Sequence, residues 1–145
     1  MAVTAFWYGN AFVKAFNKEI DLDTDAIKVA LCTSSYTPNQ DTHDYFDDIT
    51  NEVVGAGYTA GGYTLAAKTS TYTAGTNVWA FDNTTDPTWA AATITARYAI
   101  VYVATGTAST SALICYIDFG ADVASTAASF TITLDAGGIC KVTVS

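Results

Sequence analysis

The hydrophobic pattern of the chain changes at Ala26-Ile-Lys-Val-Ala-Leu-Cys32. In this stretch Ile27, Val29 and Leu31 alternate with the residues between them, which is the period of two expected of a half-buried β-strand. Similar alternation recurs further along the chain, and it predicts seven strands after residue 25. The other segments lie around 63–73, 78–81, 93–103, 113–119, 129–134 and 139–144.

The segment before this stretch has the pattern of one short helix. Phe12, Phe16 and Ile20 recur at positions i, i+4 and i+8 with Val13 beside them, and the polar residues Lys14, Asn17 and Lys18 fall elsewhere. This spacing predicts an amphipathic α-helix over about residues 11–20. Because so short a helix is marginal in water, we expect its apolar stripe to be buried.

Turn-forming residues separate the predicted strands. Gly, Asp, Asn and Thr cluster at 82–87 and 106–110, and Asp135-Ala-Gly-Gly138 is expected to close a hairpin between the last two strands. No helical pattern separates the later strands, which excludes a doubly wound α/β fold. We predict a mainly β protein, one domain over residues 1–145. Its architecture is expected to be a single antiparallel β-sandwich, jelly-roll-like, or a barrel, with one short N-terminal helix.

Composition excludes several classes of function. The chain has 145 residues and a net charge of −8, and only 14% of its residues are charged. Nucleic acids and anionic membrane surfaces require clustered basic side chains, so neither is an expected partner. The opening residues lack the basic start and apolar stretch of a secretory signal, and no export signal is expected. An aromatic content of 13% argues against disorder.

Two motifs resemble ligand-binding loops, and each lacks an essential residue. Asp21-Leu-Asp-Thr-Asp25 begins like a calcium loop, but Ala26 and Cys32 stand where the loop glycine and the closing glutamate belong. Gly57-Tyr-Thr-Ala-Gly-Gly-Tyr-Thr64 has the glycine spacing of a phosphate loop, but Tyr63 replaces its lysine. We interpret the first as an acidic turn between helix and strand, with weak calcium binding as the alternative, and the second as a glycine-rich entry into the next strand.

The one histidine does not form a recognisable catalytic motif. His43 lies among carboxylates that include Asp47 and Asp48, and the chain has no G-x-S-x-G turn to supply a nucleophile. Neighbouring residues on a helical turn point about 100° apart, so Asp47 and Asp48 do not face each other as a glycosidase pair. We interpret this segment as a solvated acidic loop, with a metal site or catalysis as alternatives. The sequence therefore predicts no catalytic, cofactor-binding or metal-binding residue and no enzyme activity.

The cysteines are interpreted as core residues. Cys32, Cys115 and Cys140 are odd in number, show no C-x-x-C spacing and lie in alternating apolar segments. We expect reduced, buried thiols rather than a disulfide or a metal site.

The chain resembles a family of small virion structural proteins of tailed bacteriophages. The resemblance lies in five segments, 27–43, 51–62, 94–100, 117–120 and 130–139. The resemblance implies a non-enzymatic virion protein without a cofactor. It further implies a capsid decoration or cement protein that binds the head surface as a homo-oligomer, with the major capsid protein or other virion proteins as partners. A tail, collar or fibre-associated virion subunit is the first alternative. The second is a carbohydrate-binding module, in which Trp79, Trp89 or tyrosines stack on sugars.

The N-terminal aromatic residues are the candidate partner interface. Phe6, Trp7 and Tyr8 precede the predicted helix, which contributes Phe12 and Phe16. Large apolar side chains held in a partner's pocket dominate the energy of protein interfaces. The alternative is that these residues only close one end of the protein's own core.

Overall fold

The computed structural model of the chain describes residues 4–145. Its α-helix is α1 (Asn10–Phe16), and single turns of 3₁₀-helix occur at Phe46–Asp48 and Ala108–Thr110. The strands are β1 (Thr4–Trp7), β2 (Ile27–Cys32), β3 (Tyr63–Thr64), β4 (Lys68–Thr73), β5 (Val78–Asn83), β6 (Thr88–Val103), β7 (Leu113–Thr131) and β8 (Cys140–Thr143).

The strands form two antiparallel sheets. One has five strands in the order β1-β7-β6-β2-β3, and the other has three in the order β4-β5-β8. The prediction of a mainly β protein with an antiparallel sandwich and one short helix is confirmed. The barrel alternative is wrong, because within residues 4–145 neither sheet closes on itself.

The long antiparallel pair β6–β7 is the centre of the five-stranded sheet. Its register runs from Thr88 opposite Thr131 to Tyr102 opposite Leu113, with several irregularities between them. The sequence predicted separate strands at 113–119 and 129–134, whereas β7 continues from the first into the second and ends at Thr131. The residues between them lack the alternating pattern, but the backbone of β6 pairs with them and keeps them extended.

The five-stranded sheet is buried on both faces. On one face Ile27, Val29 and Leu31 pack in the main core between the sheets. On the other face Ala30 and Cys32 pack against residues of the irregular segment 33–62. The prediction of a half-buried strand for β2 is therefore wrong, because this segment covers the second face.

The predicted hairpin at 135–138 is also wrong. The turn itself forms, since the backbone N–H of Gly138 donates to the carbonyl of Asp135 at 2.9 Å. The strand that follows, β8, pairs with β5 of the three-stranded sheet rather than with β7. The turn therefore carries the chain from one sheet to the other.

The expectation of buried cysteines is confirmed, because Cys32, Cys115 and Cys140 are all buried, and residues 4–145 contain no disulfide bond. That all three thiols stay reduced in solution is still a prediction. Cys115 and Cys140 belong to the core between the two sheets, and Cys32 belongs to the core on the other face of the larger sheet.

Replacement of Gly62 by alanine is expected to destabilise the fold. Gly62 has a φ of +75°, and a Cβ there would lie 2.7 Å from the Cα of Ala30 and would overlap the carbonyl of Val29. We expect Gly62→Ala to lower the free energy of unfolding by about 2–4 kcal/mol. Gly75→Ala is the matched control, since a Cβ at Gly75 would have no neighbour within 4 Å. Its expected change is within about 0.5 kcal/mol, and chemical denaturation of both variants tests the difference.

The ion pair between β6 and β7 predicts a pH dependence. Arg97 Nε donates to Asp118 Oδ1 at 2.7 Å, and this bond holds the pKa of the Asp118 carboxyl below its ordinary value. A carboxyl with a lowered folded pKa stabilises the fold above about pH 4, and this contribution is lost as the pH falls through the folded pKa. Asp118→Asn should therefore destabilise the protein at pH 7 and by less in acid. A difference that stays constant in denaturation curves from pH 7 to pH 3 would contradict this origin.

Candidate partner-binding surface

The N-terminal aromatics are placed by a strand that the sequence did not predict. β1 pairs with β7 so that Phe6 lies opposite Tyr116 and Trp7 opposite Cys115. Successive side chains of a strand point to opposite faces. Phe6 accordingly stacks on Tyr116, with ring centroids 5.2 Å apart, while the indole N–H of Trp7 donates to the backbone carbonyl of Lys141 at 3.2 Å.

Tyr8 belongs to the core and not to an interface. It has no exposed surface, and its hydroxyl lies 2.8 Å from that of Tyr36. The Tyr36 hydroxyl in turn lies 2.8 Å from Nδ1 of His43. Burial raises the pKa of the Tyr8 phenol well above its ordinary value. The interface prediction is therefore wrong for Tyr8, because its neighbours already enclose it.

Helix α1 exposes the face that its sequence predicted to be buried. Phe12, Val13 and Phe16 are 38%, 56% and 87% exposed, whereas Ala11 and Lys14 are buried. The helix ends at Phe16 instead of near residue 20. The prediction of a buried stripe is confirmed for Ile20, which packs in the main core, and is wrong for Phe12 and Phe16. The prediction that these two phenylalanines are available to a partner is consistent with their exposure.

The buried lysine explains the orientation of the helix. The Lys14 ammonium lies 3.3 Å from Asp44 Oδ2 and 3.7 Å from Glu19 Oε2, and 3.3 Å from the centroid of the Tyr45 ring. Burial lowers the pKa of Lys14, but the interactions with Tyr45 and Asp44 outweigh it and the pKa lies above its ordinary value. A buried charge is tolerated when it is paired in this way. Lys14 therefore faces the protein and turns the phenylalanines outward.

The exposed helix face continues onto Trp7. The rings of Trp7 and Phe12 have centroids 4.9 Å apart, and Phe12, Val13 and Phe16 share a helix face by their i, i+3 and i, i+4 spacing. We name these four residues, Trp7, Phe12, Val13 and Phe16, the N-terminal apolar patch. Phe6 is also exposed but packs on Tyr116. Aromatic residues grouped in this way have the chemistry of interface anchors.

Carboxylates of the acidic motifs accept hydrogen bonds from nearby backbone N–H groups. Asp21 Oδ1 accepts hydrogen bonds from the backbone N–H groups of Asp23 and Thr24, and Asp48 Oδ2 accepts one from Asp44. His43 contacts Tyr36 as described. Residues 4–145 hold no group of three or more His, Cys, Asp and Glu side chains placed to bind a metal ion.

The tryptophans proposed for sugar stacking differ in exposure. Trp89 is buried, where its ring packs near Tyr58, Tyr63 and Phe130. Its assignment as an exposed sugar platform is wrong for that reason. Trp79 is partly buried, and its indole N–H donates to Ser70 Oγ at 3.1 Å.

Comparisons with known proteins gave no match to a family model, to a curated protein or to a solved structure. None of the helices described in residues 4–145 has the length and hydropathy to cross a membrane.

Substitutions at Tyr8 and Phe16 should change the stability of the protein by different amounts. Tyr8→Phe removes a hydroxyl that is paired with Tyr36 in the core, and we expect it to lower the free energy of unfolding by about 1 kcal/mol. Phe16→Ser replaces a side chain that is mostly exposed, so its expected effect is within about 0.5 kcal/mol. Chemical denaturation measures both. A large loss of stability in Phe16→Ser would show that the phenylalanine is packed and not free for a partner.

Proposed function

We propose that this protein is a non-enzymatic bacteriophage virion protein, a capsid decoration or cement protein that binds the head surface as a homo-oligomer. The observation that carries the proposal is the N-terminal apolar patch, in which a helix buries its lysine and exposes Phe12, Val13 and Phe16. The resemblance to small virion structural proteins indicates the particle on which such a surface would act. The major capsid protein is the proposed occupant of the patch.

Burial of the patch against a partner would contribute favourable free energy of binding. Moving a large apolar side chain from full exposure to full burial contributes about 1.5–3 kcal/mol. Phe16 has most of this contribution still to gain, since it is 87% exposed. Trp7 is already held by its bond to Lys141 and would lose little conformational freedom on binding. A few rigid anchors of this kind supply most of the affinity in protein interfaces.

Charge favours a capsid protein over a second copy as the occupant of the patch. Each chain carries a net charge of −8, so two copies repel each other at long range. Lys14, the cation nearest the patch on α1, is already paired with Asp44 and Glu19. In this proposal the capsid lattice holds the copies at neighbouring positions, where they form the homo-oligomer.

Substitution within the patch tests the proposal. We expect Phe12→Ser with Phe16→Ser to weaken binding to heads that lack this protein by about tenfold or more, because that factor corresponds to only about 1.4 kcal/mol. Co-sedimentation with purified heads measures the affinity. Phe16→Ser alone is the variant least able to disturb folding.

Val54→Ser is the matched control. Val54 is exposed and lies beside residues 93–95 and 124–126, away from the patch. Binding that survives the double substitution, or that falls equally in Val54→Ser, would refute the assignment of the patch. Electron microscopy of intact particles then tests location, and label on the tail or collar would replace the head assignment. Deletion through Tyr8 is unsuitable, because it also removes β1 and a buried core residue.

A further inference from the structure

Two thiols meet between the sheets. Cys115 belongs to β7 of the five-stranded sheet, and Cys140 is the first residue of β8 in the three-stranded sheet. Both are buried, and their sulfur atoms lie 2.6 Å apart. The pair therefore spans the sandwich with its two reactive atoms in contact.

The third cysteine is separated from this pair by the larger sheet. Cys32 packs with Tyr8 and Tyr36 on the face of that sheet away from β8. Cys115 and Cys140 pack together in the core between the sheets. Proximity thus selects one of the three pairings that three cysteines allow.

A groove leads to the pair. A cavity of about 320 Å³ lies between β1 and the segment 134–141, and both Cys115 and Cys140 line it together with Phe6, Trp7 and Lys141. Two of these lining residues are hydrogen-bonded to each other, since the indole N–H of Trp7 donates to the backbone carbonyl of Lys141. A small uncharged reagent suits this groove, because the protein's net charge of −8 disfavours an anionic one.

We propose that Cys115 and Cys140 are an oxidation site, which a small neutral organic disulfide converts into an intersheet disulfide bond. One cysteine thiolate attacks a sulfur of the reagent, forms a mixed disulfide and releases the first reagent thiolate. The second cysteine then attacks the protein sulfur of the mixed disulfide and releases the second. The two cysteine protons pass to the two released thiolates. The cysteines lose two electrons in all, and the reagent gains them.

Burial of the two thiols determines the rate of this reaction. Desolvation raises the pKa of the Cys140 thiol above its ordinary value, so little of it is thiolate at neutral pH. The exchange is therefore slow and requires prolonged incubation. Once formed, the bond connects residues 25 positions apart and ties the edge strand β8 to the larger sheet.

The experiment compares thiol content and stability before and after oxidation. Reduced protein is incubated with excess bis(2-hydroxyethyl) disulfide, unfolded in the presence of an alkylating agent and analysed by mass spectrometry. We expect one alkylated residue, Cys32, and a peptide containing Cys115 linked to Cys140. The closed loop predicts a melting temperature raised by about 10 °C, which a reductant reverses.

Two alanine variants provide the controls. Cys32→Ala should retain the bridge and the shift in melting temperature, whereas Cys140→Ala should lose both. Three alkylated cysteines after incubation, a persistent mixed disulfide or a bridge that includes Cys32 would each overturn the proposal. The peptide map of Cys32→Ala decides the matter even if Cys140→Ala does not fold. The result is independent of whether the protein binds a capsid.

Discussion

The antiparallel pairing of β6 with β7 is the interaction on which the rest of the structure depends. These are the longest strands, and every other strand of the larger sheet is added to one of them directly or through β2. β1 pairs with β7 near its start, which fixes the entry of the chain into α1. β2 pairs with β6 and presents one face to the smaller sheet and the other to the segment 33–62. The position of the N-terminal apolar patch thus follows from a pairing made far along the chain.

The local sequence pattern predicted strands from the residues within each segment. It could not predict strands or strand pairings that depend on residues far away in the chain. β2 and β5 lie where the sequence placed them, although β5 continues two residues further, to Asn83. The adjacent apolar residues Ala5, Phe6 and Trp7 of β1 do not alternate with polar ones, and the segment is extended because β7 supplies its hydrogen bonds. The glycines at 135–138 predict a turn, but no local signal shows that the next strand pairs with β5. Turn chemistry determines where a chain reverses, whereas the choice of neighbour depends on the whole fold.

The candidate partner-binding surface was likewise predicted only in part, because local sequence identified its residues but distant residues determine their exposure. The sequence selected Phe6, Trp7, Tyr8, Phe12 and Phe16, and all but Tyr8 retain exposed surface. The reasoning behind the helix was nevertheless wrong, since it assumed that an amphipathic helix hides its apolar face. That rule fails here because Glu19, Asp44 and Tyr45 surround Lys14. Asp44 and Tyr45 lie some thirty residues beyond the lysine, and only the folded chain brings them to α1.

Trp7 connects the patch with the thiol pair. One side of its ring packs near Phe12 in the patch, and the residue also lines the groove that reaches Cys115 and Cys140. A partner seated on the patch would therefore cover one wall of that groove. Because a buried thiol reacts only as fast as a reagent can reach it, such a partner would slow oxidation of the pair. The same contact would couple the two sites in the other direction. A bond between β7 and β8 would hold Lys141, whose backbone carbonyl accepts the Trp7 hydrogen bond, and would therefore restrict Trp7, one of the residues of the proposed binding surface.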